Sequence, residues 1–264
     1  MNSINCIIQA RMGSTRLPGK VMMEIDKDKN PILFYVINQL KNCINIDNIV
    51  VATTTFPEDN RIADFLQQTN VACFRGNDND VLDRYYKCAK HFVFLTIVRI
   101  TSDCPLIDPQ IVDRVIEKFQ TEKYDYVSNC IPRTFPYGTE VEIFSFNALE
   151  QTWKNAKKPS EREHVTPYIY NNRDKFRICS LCNDEDLSRF RWTVDRIEDL
   201  NLVKQLISLI KTRPILMRDI LDVFKQKPEL FEINKNLTPN EGYIESLKAD
   251  QIFLEKLNKQ NETN

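Results

Sequence analysis

The feature that most restricts the fold of this chain is a repeated alternation. Short β-branched or apolar runs, at residues 5–9, 49–53, 71–74 and 94–100, read as strands. Between them the apolar residues fall at helical spacing, over residues 32–40, up to about 68, 81–89 and 109–119. Parallel neighbours in a sheet need a crossover long enough to hold a helix, so this order predicts an α/β fold with a mostly parallel sheet and helices on both faces. Further on, residues 125–129, 139–144 and 192–194 read as strands, and residues 146–156, 197–210 and 241–257 as helices. A chain of 264 residues, 42% hydrophobic, suits one large domain with appendages, expected over residues 1–230 and 231–264. The last residues, 258–264, are polar and expected to be disordered.

In open α/β sheets ligands bind beyond the carboxyl ends of the strands, which directs attention to the loop after the first strand. The stretch IIQARMGSTRLPGKVM, residues 7–22, holds two of only five glycines, Gly13 and Gly19. It also carries Ser14 and three cations, Arg11, Arg16 and Lys20. Backbone N–H groups of such a loop, ringed by fixed cations, form a cradle for a polyanion, most naturally a nucleoside triphosphate. The stretch is not a P-loop: five residues separate Gly13 from Gly19, and Val21 replaces the hydroxyl that would hold magnesium.

A net charge of -1 gives no sign of nucleic-acid binding. No apolar run reaches the length of a membrane span and the N-terminus lacks a secretory segment, so a cytoplasmic protein is expected. The eight cysteines are scattered through apolar segments and read as reduced thiols; Cys179 and Cys182 form a C-x-x-C with no second pair, which argues against zinc.

Acidic residues at strand ends come next. Asp103 follows the most apolar strand, in TSDCPLIDP, and Pro105 turns the chain so that its carboxylate stays at the sheet edge. A hard oxygen ligand beside a phosphate cradle suits Mg2+, although a turn or capping aspartate looks the same in sequence. Asp108 before Pro109 reads as a helix N-cap. Asp195, in RWTVDRIEDL, stands where a strand passes to a helix; with Glu198 it outlines a capping box, and a metal ligand is the open alternative.

In the middle of the chain Glu140 and Glu142 share one face of the strand TEVEIF. Ser160 and Glu163 outline a second capping box, beside Arg162 and His164 in a chain with only two histidines. His91, at a helix end, reads as structural, while His164 is open to a ligand or a structural role.

Together, IIQARMGSTRLPGKV, VATTTFPEDNRIADF, FRGNDNDVLDRYY, RITSDCPLIDP, GTEVEIFS, EREHVTPYIY, TVDRIEDL and NEGY resemble, in register, the cytidylyltransferase family, which includes SpsF-like spore-coat polysaccharide proteins and the CMP-sialic acid and CMP-Kdo synthetases. The resemblance implies a Rossmann-like three-layer α/β/α sandwich of nucleotidyltransferase type, with an insertion at about residues 130–172 for acceptor and dimer contacts. It implies condensation of CTP with a small anionic acceptor, a sugar acid, a sugar or polyol phosphate or a phosphonate, with release of pyrophosphate, usually by a homodimer. Position by position, it assigns Arg11, Arg16 and Lys20 to the triphosphate and Gln9, Ala10, Gly13, Ser14, Arg75 and Asp80 to the nucleotide side. Asp103 and Asp195 match the magnesium carboxylates, and Arg133, Gly138, Glu140, Arg162 and His164 the acceptor or dimer side. Cytosine as the base is implied by the resemblance alone. Two rivals are a glycosyltransferase using Asp78-Asn79-Asp80 as a D-x-D metal pair, and a nucleotide-binding protein without turnover.

Overall fold

At the centre of the sheet β1 (Ile4–Gln9) pairs in parallel with β2 (Asn48–Thr54) on one side and β4 (Thr96–Thr101) on the other, in a computed structural model that describes residues 3–262. Outside β2 lies β3 (Ala72–Gly76), also parallel. Beyond β4 come β6 (Glu142–Ser145), antiparallel, then β5 (Tyr126–Ser128) and β7 (Ile178–Ser180), giving the order β3-β2-β1-β4-β6-β5-β7.

The period-two alternation of the strands divides the core. Cys6 and Ile8 of β1 face one way, into a cluster with α1 (Ile32–Leu40), α2 (Asn60–Gln68), α4 (Pro109–Thr121), α8 (Ile197–Leu209) and α9 (Met217–Gln226). Ile7 faces the other way, into a cluster with α3 (Val81–His91), α5 (Phe146–Asn155) and α7 (Pro167–Asn171). Each fully buried Ile, Leu or Val contributes about 1.5–3 kcal/mol by leaving water, so the sheet is fixed from both faces. Two more helices, α6 (Pro159–His164) and α10 (Glu241–Glu262), pack on each other at one edge. Among the described residues no helix is long and apolar enough to cross a membrane.

The chain steps outward from β1 to β2 to β3 and is then carried back by α3 to β4, on the opposite side of β1. A crevice opens where the winding reverses, at the carboxyl ends of β1 and β4. There Gln9 lies in register with both Ala52 and Thr101. Tyr85 of α3, fully buried, donates its hydroxyl to Ile7 O at 3.1 Å and so ties the crossover to the sheet beneath the crevice.

Several local expectations change. Residues 192–194 are extended but form no strand, because Trp192 N donates to Tyr137 O and Val194 N to Asp103 O, carbonyls of two different segments. The strand expected from residue 139 begins only at Glu142. Before it the chain turns at Gly138, whose φ of 104° is left-handed and where an added Cβ would lie 2.7 Å from Thr193 N. The late helix runs to Glu262 in place of a disordered end; residues 263–264 lie outside the described residues.

Capping explains two further shifts. Asp108 caps α4 as expected, accepting from Gln110 N at 2.7 Å. For α8 the cap position is Arg196, so the acid at the third helical position is Asp199, which accepts from Asp195 N and Arg196 N at 2.9 and 3.0 Å. Asp195 is thereby released from capping, and Glu198 takes no part in the box. For α6 the cap position is Lys158, so Glu161 caps and both Ser160 and Glu163 are free for other partners.

Candidate active site

The loop after β1 is shaped by one carbonyl. Met12 O accepts from Ser14 N at 2.9 Å and Gly19 N at 2.8 Å, folding residues 12–19 back on themselves, with Gly19 at a left-handed φ of 72°. Those two amides are spent on the turn, so the cradle relies more on side chains than the sequence implied. The loop is pinned from below by Asp59, which accepts from Met12 N at 2.7 Å and from the Thr54 hydroxyl. Asp59 was not anticipated as a site residue, though its place just after the neighbouring strand is the signal that marks it. Gly13 has open space where a Cβ would stand, so no contact requires a glycine there.

Lys20 follows Gly19 and turns inward. Its Nζ donates to Asp103 Oδ2 at 2.9 Å, Asp195 Oδ1 at 2.9 Å and Val194 O at 2.7 Å, using all three of its hydrogens. Residues 175 positions apart in the chain meet because Val194 N and the Thr193 hydroxyl both donate to Asp103 O, at 2.8 and 3.2 Å. Asp103 is braced further by the Thr101 hydroxyl at 2.6 Å. Asp195 also accepts from Arg16 at 2.7 Å and Arg191 at 3.0 Å.

The electrostatics follow from that geometry. Burial works against the charge on Lys20, but Asp103 and Asp195 outweigh it and raise its pKa. Burial alone would raise Asp195, yet Lys20 and Arg16 hold it well below the usual carboxylate range. Lys20 and Asp195 therefore stabilise each other's charged forms. Two carboxylates and three cations share one spot, and two of the cations, Arg16 and Lys20, are ones predicted for a polyphosphate.

Above this cluster a cavity of about 420 Å³ opens at the crevice. Of the residues singled out from sequence, Gln9, Ala10, Arg11, Ser14, Arg16, Lys20, Asp103 and His164 line it, while Gly13 and Asp195 do not. Gln9 Oε1 is buried with no hydrogen-bond partner, in a residue of the cavity wall. His164 Nε2 meets Ser246 Oγ at 2.9 Å, and burial, only partly offset by Glu163, lowers its pKa so that the neutral ring dominates at pH 7.

Other predicted residues stand elsewhere. Arg75 is consumed at the end of β2, donating to Thr54 O and Phe56 O at 2.9 Å each. Asp80 caps α3 through Asp83 N and pairs with Arg162 Nε at 2.9 Å, which takes both away from the cavity wall. Asp78 accepts from Thr55, so the D-x-D pair is spent on structure and the glycosyltransferase rival loses its metal motif. Arg133 and Glu140 pair at 2.7 Å one layer behind Asp103, reached through Cys104 Sγ, which lies 3.6 Å from both Glu140 and Asp103. Gly138 serves the packing against Trp192 and Thr193 described above. Glu142 does not share a role with Glu140: it pairs with Arg99 and accepts from Tyr126 and Thr166 at 2.6 Å each.

The cavity also has walls that the sequence reading missed. Arg99 lines it, with its charge matched by Glu142. Arg84, 1% exposed, lines it too, yet it donates only to Asn77 O at 2.8 Å, its Nε has no partner, and it forms no ion pair among the described residues. Burial lowers its pKa, though not enough to neutralise a guanidinium. An arginine within a helix reads as a surface residue, so only the packing reveals it. Glu163 completes one side with Ser246, Gly242 and Glu245 of α10.

A reversed winding with cations on the loop beside the cleft places a ligand site at the carboxyl ends of the strands, and the family that the chain matches makes it a nucleotidyltransferase. The family is narrower: residues 5–256 match the cytidylyltransferase family, and the chain belongs to it. It is 39% identical over 233 residues to an uncharacterised protein of Methanocaldococcus jannaschii, covering 88% of this chain and 94% of the relative. It is 30% identical over 239 residues to the spore coat polysaccharide biosynthesis protein SpsF of Bacillus subtilis, covering 87% and 97%. Among solved structures, a cytidylyltransferase from Leptospira borgpetersenii superposes with a TM-score of 0.84 at 35% identity, over 90% of this chain and 99% of that one.

Proposed function

We propose that the chain transfers the cytidylyl group of CTP to an oxygen of a small anionic acceptor, releasing pyrophosphate, in the synthesis of an activated sugar or related precursor for surface polysaccharide. The observation that carries this reading is Lys20 held between Asp103 and Asp195, with Arg16 on the same Asp195 oxygen. The similarity to SpsF supports the polysaccharide context.

In the reaction the acceptor oxygen attacks the α-phosphorus, the bond from that phosphorus to the bridging oxygen breaks, and pyrophosphate leaves with the electron pair, while a hydroxyl acceptor gives up its proton to water. Charge grows on the departing oxygens, so positioning and electrostatic stabilisation do most of the work. Arg16 would meet those oxygens through its planar fork and Lys20 as a point charge. Gln9 and Ala10 border the nucleoside. Arg84 leaves the cavity with a positive charge that no carboxylate matches, which suits anionic substrates.

Magnesium belongs to the proposal. Asp103 Oδ2 and Asp195 Oδ1 are hard oxygens beside phosphate-binding side chains, the donor type this ion takes, and it would share them with the Lys20 ammonium that lies 2.9 Å from each. Asp103 and Asp195 would hold it, and when bound it would withdraw charge from phosphate oxygens. A homodimer completes the reading: Ile244, Leu247, Leu254 and Leu257 are 41–44% exposed on α10, apolar area suited to a second copy.

The deciding experiment is a matrix of CTP, UTP and GTP against sugar acids, sugar phosphates, polyol phosphates and phosphonates, scored by pyrophosphate release. CTP-dependent release with one acceptor class supports the reading. Release with no pair, or inorganic phosphate in place of pyrophosphate, overturns it.

A further inference from the structure

The start of α10 presses on the catalytic loop in a way that helix stability does not account for. A helix docked for stability turns its large apolar residues inward. Here Ile244, Leu247, Ile252 and Leu254 are 44%, 42%, 55% and 41% exposed, while Ser246 and Asp250 are buried at 5% and 7%. The helix is attached by polar bonds. Asp250 accepts from Ser160 N at 2.9 Å and Ser160 Oγ at 2.6 Å, and Ser246 joins His164 and Glu163 at 2.9 and 2.7 Å.

At its first turn this attachment reaches Arg16. Glu241 Oε2 lies 3.8 Å from Arg16 Nε and is held in place by Arg196, which donates to both Glu241 oxygens at 2.8 and 2.9 Å. On the next residue, a Cβ added to Gly242 would lie 3.0 Å from Arg16 Nη1 and 3.5 Å from Nη2. The backbone of Gly242 is not left-handed, so the space taken by Arg16 is the reason visible here for a glycine. Nη2 of the same guanidinium donates to Asp195 at 2.7 Å.

We propose that Glu241 and Gly242 are positioning residues that clamp the Arg16 guanidinium against Asp195 and set where it meets the triphosphate. The helix beyond the sheet domain is thereby part of the catalytic machinery. This inference rests on the nucleotidyl-transfer reading of the cleft.

The test is Gly242→Ala, measured by calorimetric affinity for CTP with magnesium, by turnover and by thermal melting. Alanine favours a helix over glycine, so a purely structural role predicts only an unchanged or raised melting temperature. Positioning predicts that together with a weaker site. Misplacing a group by 1 Å can cost on the order of 10²-fold, so a shift of a few tenths of an ångström should lower CTP affinity or turnover by about 3- to 10-fold. The same substitution is then placed in an Arg16→Lys protein. If Gly242 acts through Arg16, it adds no further loss there, because the pair is coupled. Wild-type affinity and turnover in Gly242→Ala, or an equal further loss in the Arg16→Lys background, overturns the proposal. A wild-type protein that binds CTP but gives no pyrophosphate sinks the reaction while the affinity arm still decides the clamp; one that binds no nucleoside triphosphate sinks both.

Discussion

Replacing Lys20 with methionine keeps the length of a buried side chain and removes its charge. Three acceptors at 2.7 to 2.9 Å lose their donor, two of them carboxylates that then face each other. Removing one partner of a buried ion pair costs about 3–5 kcal/mol. Asp103 and Asp195 keep side-chain exposures of 25% and 19%, and Asp195 retains Arg16 and Arg191, so a loss of about 2–3 kcal/mol is expected after discounting for solvent screening. For a chain of this size that lowers the melting temperature by about 4–12 °C. The pH dependence distinguishes this cause from a packing defect. In the wild type, Asp195 is depressed below its usual value of 3.8, so its stabilisation is present above that pH and is lost as pH falls through the lower folded value. In Lys20→Met the unbalanced pair raises a carboxylate pKa, so the penalty is greatest at pH 8 and shrinks as pH falls toward 5. Paired melts at pH 8 and 5 measure this, and pyrophosphate release should fall about 10²-fold or more. A variant that melts with the wild type and turns over within twofold of it refutes the reasoning.

Arg84→Gln removes a buried charge that has no carboxylate partner, so the melting temperature should hold or rise while substrate KM increases about 10-fold; a loss of stability with unchanged KM contradicts the assignment. Gly138→Ala forces a side chain into a left-handed backbone 2.7 Å from Thr193 N, which should cost about 2 kcal/mol or more in a denaturant titration and leave KM for CTP unchanged in the folded fraction. Burial keeps His164 neutral, so stability should begin to fall as pH drops below about 6.5 and go on falling to its lower folded pKa; His164→Gln should remove that component, and an unchanged profile contradicts it.

Much of the fold was readable because its signals are local. Ile32–Leu40 has the bounds expected from apolar spacing, and Asp108 caps α4 as its place before Pro109 implies. The place of the loop cations and Asp103 at the crevice was readable because they follow the strands that form it. Asp195 could not be decided from sequence, since a capping box with Glu198 and one built on Asp199 differ by a single residue of helix register. Residues 192–194 misled because an apolar extended run makes a strand only with a continuous neighbour, and here the partners are isolated carbonyls. Arg133, Glu140 and Arg162 carry charges of the right kind, but each is satisfied by a partner that only the fold supplies, in Asp80 and in the Arg133 and Glu140 pair itself. Arg84 and the inner face of α10 left no sequence signal, because both depend on which side of a helix meets the cavity.

The central claim is that the loop cations and the two aspartates act on one triphosphate. Phosphorus NMR of CTP, magnesium and the productive acceptor follows it directly. The account predicts pyrophosphate and a cytidylylated product growing in equal amounts with wild-type protein, and neither with Lys20→Met or Asp103→Asn. An unchanged CTP spectrum with every acceptor class, or equal product from those variants, contradicts it.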